Sequence, residues 1–130
     1  MSLSAQKEFI ASVEKSYDHF SLYLELKKPS FETKGFLSIA KMEAVGGIIE
    51  ILYGPPEYRA ELFINCHRNH KKWGLSALFQ IKNVTSWLKT YRPKTKKQSK
   101  IEADVECFFH LVTEGVHGID EFAWLHKRLL

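Results

Sequence analysis

The side chains closest to a reactive pattern are two pairs of cysteine and histidine. Cys66 and His70 have three residues between them, and Cys107 and His110 have two. Thiolate and imidazole suit tetrahedral zinc, and a thiol beside an imidazole can also be activated as a nucleophile. Each pair is half of such a site, so a metal centre of Cys66, His70, Cys107 and His110 requires the fold to bring both halves together. Other chemistries leave no mark: no glycine-flanked serine elbow, P-loop, dinucleotide fingerprint or H-E-x-x-H motif occurs. A metal-dependent enzyme therefore stands as one alternative, and the leading expectation is a protein without a cofactor.

A second group of side chains is basic. Arg68, Lys71 and Lys72 precede a helix expected from about Leu75 to Tyr91. Cations converging on the free amides of a helix start form an anion site. Lys94, Lys96 and Lys97 lie in KTYRPKTKKQSK, a segment without an acid. Together with Lys89, Arg92 and Lys100 they account for more than the whole net charge of +4, so the basic character belongs to one segment rather than to the fold. Binding of nucleic acid or a phosphate ligand through 68–72 and 89–100 is a further alternative, with an affinity that falls steeply with salt.

The third group is acidic and depends on β-pairing. Gly35 to Cys66 reads as three strands punctuated by Gly46-Gly47 and Gly54-Pro55-Pro56. A two-residue loop at Gly46-Gly47 sets Met42 opposite Ile51. A four-residue loop from Gly54 to Glu57 sets Ile51 opposite Ala60, so one face stays apolar. The other face then carries Glu43, Glu50 and Glu61 in one row, with Lys41, Leu52 and Arg59 in the row beside it. Like charges directly opposite repel, so this row is either neutralised by Lys41 and Arg59 or kept for a basic partner.

The remaining elements frame that sheet. Phe9, Ile10, Val13 and Tyr17 recur at helical spacing from Ser4 to Tyr17. In HFSLYLELKK, Phe20, Leu22, Leu24 and Leu26 alternate with Ser21, Tyr23, Glu25 and Lys27, the pattern of a half-buried strand. Lys28 to Lys34 is then a loop returning the chain into the meander. Ser99 and Glu102 form a capping box for a helix that ends near Gly115 and Gly118. A last helix is expected over Ile119 to Leu130, with acids in its first turn and bases in its last. The expected fold is α+β: an N-terminal helix, a four-stranded antiparallel β-meander and three C-terminal helices packed on the sheet, in one domain over residues 1–130.

A chain of 130 residues with 45% hydrophobic content is sufficient for a packed core. Two cysteines are too few for a disulfide framework. No apolar run is long enough to cross a bilayer and the N-terminus lacks the pattern of a secretory signal, so the expected location is cytoplasmic, away from membranes. Leu37, Ile39, Val45, Ile48 and Phe63 make the outer sheet face too apolar for open water. Either the chain's own helices cover it, or a partner or second copy does. The expected function is a small cytosolic, non-enzymatic binding protein of a regulatory or toxin-neutralising type. It would meet a protein partner, or itself, through Glu43, Glu50, Glu61, Lys41 and Arg59.

Overall fold

The computed structural model describes residues 3–93 and 99–127. The fold is α+β. Helix α1 (Leu3–Phe20) is followed by an antiparallel sheet of five strands in sequential order: β1 (Ser30–Lys34), β2 (Leu37–Ala44), β3 (Gly47–Gly54), β4 (Arg59–Cys66) and β5 (Lys71–Gly74). Helices α2 (Leu75–Leu78), α3 (Lys82–Thr90) and α4 (Lys100–His110) follow. A π-helical turn over Leu111–Gly115 and a 3-10 helix over Asp120–Leu125 complete the described chain. Among the described residues no helix is long and apolar enough to cross a membrane.

The meander has one strand more than expected, and its first strand lies elsewhere. Leu24 and Leu26 do turn inward, but Phe20 ends α1 and Leu22 and Tyr23 remain exposed. The backbone of this stretch is tied to residues 125–127, and to the sheet through Lys27 N–H, which donates to the Glu43 carbonyl at 2.8 Å. Glu25 N–H donates to the Leu125 carbonyl, Lys127 N–H donates to Tyr23, and Leu24 bridges His126. The place beside β2 is taken by Ser30–Lys34, expected as loop. Gly35, at φ +62, takes the left-handed conformation that reverses the chain between Lys34 and its partner Leu37.

Both later turns sit one residue away from their expected places. The first is Val45-Gly46, closed by Ala44 opposite Gly47, and the second is Pro55 to Tyr58, closed by Gly54 opposite Arg59. Each register therefore differs by two residues from the expected one. A shift of two preserves the faces and changes the neighbours. Met42, Ile49, Ile51, Leu62 and Ile64 still share the inner face, where all are buried.

The helices cover that inner face. Phe9 and Val13 of α1 and Val105, Phe108 and Phe109 of α4 join the inner-face residues in one core. Phe9 stacks on Tyr53 at 6.0 Å and Phe20 on Phe109 at 5.8 Å. The Ser99 side chain caps α4 by accepting the Glu102 N–H at 3.2 Å, as the S-x-x-E pattern implied. The helix expected over 75–91 is broken between Leu78 and Lys82, and the last helix is the short 3-10 segment.

Candidate functional site

The outer face of the sheet differs in character from the inner one. Leu37, Ile39, Ile48, Leu52 and Phe63 point away from the core and belong neither to it nor to the partly buried side chains packed against it. Ile39 is buried, and Leu37, Ile48, Leu52 and Phe63 are half-buried.

The three glutamates share this face but not a row. Glu43 stands opposite Ile48, and Glu61 opposite Leu52, itself opposite Ile39. Glu50 lies between Lys41 on β2 and Phe63 on β4. The expected carboxylate row is thus replaced by three separate placements, because the two turns set the registers two residues off. Two of the three carboxylates, Glu50 and Glu61, meet a local partner, while Glu43 is exposed opposite Ile48. Lys41 Nζ lies 3.1 Å from Glu32 Oε1, Arg59 lies 3.6 Å from Glu61, and Asn65 Nδ2 donates to Glu50 Oε1 at 2.8 Å. Hydrogen bonding to Glu32 and its charge raise the Lys41 pKa, with smaller contributions from Glu50 and Glu43. The result is a paired set of charges with Glu50 at its centre, ringed by Ile48, Leu52 and Phe63.

The basic residues are placed differently from expectation as well. Lys71 and Lys72 lie on β5 and not ahead of a long helix, and α2 has a single turn. On a strand they point to opposite faces: Lys71 Nζ sits 3.8 Å from the Trp73 ring centroid and Lys72 Nζ 4.4 Å from that of Phe63. Arg68 is exposed in the turn between β4 and β5. These cations do not converge on helix amides, so the anion site proposed from their order in the chain has no geometric basis. Lys94, Lys96 and Lys97 lie outside the described residues.

The cysteine and histidine pairs remain apart. Among the described residues no group of three or more His, Cys, Asp or Glu side chains is arranged to hold a metal ion. Cys66 is buried at the end of β4, its Sγ 3.8 Å from the Glu121 carbonyl, while His70 is exposed in the following turn. Burial raises the pKa of Cys66 and pushes Cys107 up to about 11, with Asp104 and Glu106 adding to the latter. Both shifts lower the thiolate fraction and so work against a nucleophilic role for either cysteine. No family model, curated protein or solved structure matches this chain.

Three arrangements lie outside the expectations drawn from the sequence, the first around His110, which was expected there only as a metal ligand. His110 is buried with Nδ1 2.6 Å from Glu114 Oε2 and Nε2 3.6 Å from Glu106 Oε1. The spacing Glu106, His110, Glu114 at successive helical turns was a legible signal for it. Its ring also meets Phe20 at 4.7 Å and Tyr91 at 5.4 Å, so it ties α1 and the end of α3 to α4. The second feature is Trp124, whose indole lies on the Gly46-Gly47 backbone so closely that a Cβ on Gly46 would come within 2.4 Å of it. Beside Trp124 a cleft of about 1020 Å³ opens between Cys66 to Asn69 and Ile119 to Glu121. The third is the free side of β4 next to α2, where a groove of about 440 Å³ runs along the sheet edge.

Proposed function

We propose that this protein is a non-enzymatic binding protein, regulatory or toxin-neutralising in type, that holds a protein partner on the outer face of its sheet. One observation carries the reading: Leu37, Ile39, Ile48, Leu52 and Phe63 share that face and lie outside the core cluster of the described residues, with Phe63 bordering Leu75 and Phe79 at its edge. An apolar centre within a polar rim is the usual anatomy of a protein contact. Glu32, Glu61, Lys41 and Arg59 supply the rim, and their mutual pairing limits the cost of bringing a partner close. Glu50 occupies the middle. One of its oxygens accepts from Asn65, and its carboxylate can take a further donor from the partner.

The test begins with a partner captured on the native protein and then purified. That partner is titrated against wild type, Leu52→Lys and a control, Leu88→Lys, on the exposed side of α3. A contact on the outer face predicts that Leu52→Lys weakens binding by at least about tenfold while Leu88→Lys leaves it unchanged. Equal affinity for wild type and Leu52→Lys removes the proposal.

A further inference from the structure

The side of β4 away from β3 is only half covered. Phe63–Cys66 pair with β5, but the chain leaves the sheet at Leu75, so among the described residues no strand lies beside Arg59 to Leu62 on this side. The direction of the backbone groups there follows from the turns. Ala44 and Gly47 close a two-residue turn and bond to each other, so Gly47 points toward β2 and its successor Ile48 toward β4. The His67 N–H donating to the Gly46 carbonyl at 2.9 Å fixes the same phase. Odd-numbered residues of β4 thus bond to β3. Ala60 and Leu62 turn their N–H and C=O groups to the open side.

That open side is the floor of the 440 Å³ groove, and Leu75, Ser76 and Phe79 form its opposite wall. The other edges of the sheet are guarded. β1 carries Glu32 and Lys34 and is largely exposed, and β5 is four residues long with two lysines. Along Arg59 to Leu62 the two charged side chains stand on the outer face, 3.6 Å from each other, and leave the edge itself unblocked.

We propose that this groove takes an extended peptide segment of a partner, which adds as a strand beside Arg59 to Leu62, between β4 and α2. Donors and acceptors alternating in the plane of a sheet are satisfied together only by another extended backbone. Leu75 and Phe79 receive every second side chain of the segment, which must be apolar. The intervening side chains fall beside Arg59 and Glu61 and are polar. A second copy of this chain is a poor occupant, since its own exposed edges carry Glu32, Lys34, Lys71 and Lys72. The backbone bonds that hold the segment lie in the plane of the sheet and not on its outer face, although Arg59, Glu61 and Phe63 border both sites, so Ser76→Trp and N-methylation of the peptide test this site without touching the contact around Glu50.

Random peptides displayed on phage and selected on the wild-type protein are the probe. An enriched peptide, synthesised and titrated by calorimetry, should alternate apolar and polar residues and should slow exchange of the Ala60 and Leu62 amides. Its affinity should fall by at least about tenfold in Ser76→Trp, which fills the groove from an exposed position, and in Ala60→Pro, which removes an edge donor but no bond to β3. N-methylation of alternate peptide amides tests the same bonds on unaltered protein and should abolish binding in one phase only. No enrichment, equal binding to Ser76→Trp, or insensitivity to N-methylation in both phases overturns the proposal.

Discussion

Glu50 of β3 stands directly opposite Lys41 of β2, while Lys41 is itself 3.1 Å from Glu32 of β1, on the other side of β2. The centre of the outer face is therefore balanced in charge, and its binding capacity lies in the apolar side chains around Glu50. Partner binding should accordingly depend only weakly on salt. Raising ionic strength from about 0.05 to 0.5 M should change the affinity less than Leu52→Lys does, because paired rim charges contribute little.

The two faces of one strand should differ in what they contribute to stability. Leu62→Ala opens a cavity beneath the helices and should cost about 2–5 kcal/mol in urea unfolding. Leu52→Ala, on the outer face, leaves no enclosed cavity and should cost about 1 kcal/mol or less. Equal losses would mean that the outer face is packed like the core.

Gly47 should be the least replaceable residue of the first β-turn. A Cβ there would come within 2.2 Å of the Asn65 carbonyl oxygen and 2.6 Å of the Trp124 ring, whereas on Gly46 it meets only Trp124 among its nearest neighbours. Both Gly→Ala changes should destabilise by roughly 1–3 kcal/mol. In Trp124→Gly, which removes the Cβ as well as the ring, the penalty of Gly46→Ala should largely vanish and that of Gly47→Ala should persist, which a double-mutant cycle measures.

These glycines also show where sequence reasoning stops. Gly46-Gly47 looked like a turn, but Gly47 is a strand residue kept bare for the Asn65 carbonyl and for Trp124, the latter some eighty residues downstream, a contact that no local pattern announces. Period-two alternation identified both faces correctly because a shift of two residues leaves parity intact. It could not fix the rows, so the glutamates were aligned wrongly while their side of the sheet was right. In Leu22 to Lys27 the alternation of Leu24 and Leu26 was real, yet their backbone partners lie at Glu43, Leu125 and His126, too far away in the chain to be read. Ser30–Lys34 was missed because SFETK buries little: only Phe31 turns toward the core.

Neither cysteine should behave as a reactive thiol. With its pKa near 11, Cys107 carries about a hundredfold less thiolate at pH 8 than an unperturbed thiol near 9. Iodoacetamide labelling of the native protein should be slower by a similar factor, and Cys66, which burial also shifts upward, should lag as well. Both should label rapidly once the chain is unfolded in urea. Fast native labelling of either one would reopen a role in chemistry.

His126 should give the fold a pH dependence of defined sign. Its Nε2 lies 2.7 Å from the Val112 carbonyl and so carries the proton, and burial holds the imidazole below its ordinary pKa, with His117 adding to the effect and the Val112 bond opposing it. Below about pH 6.5 the unfolded chain takes up a proton that the folded one resists. The stabilising contribution of the neutral ring is thus complete above that pH and declines as pH falls. His126→Gln keeps a donor without the titration, so wild type should lose stability relative to this variant as pH falls below about 6.5. Parallel curves would exclude the effect.

Hydroxyl-radical footprinting of the free protein and of its complex with the purified partner tests the outer face most directly. Leu52 and Phe63 should be oxidised in the free protein and protected in the complex, with Leu88 labelled equally in both. Leu52 and Phe63 silent in the free protein, or labelled to the same extent with the partner bound, would contradict a contact centred on Glu50.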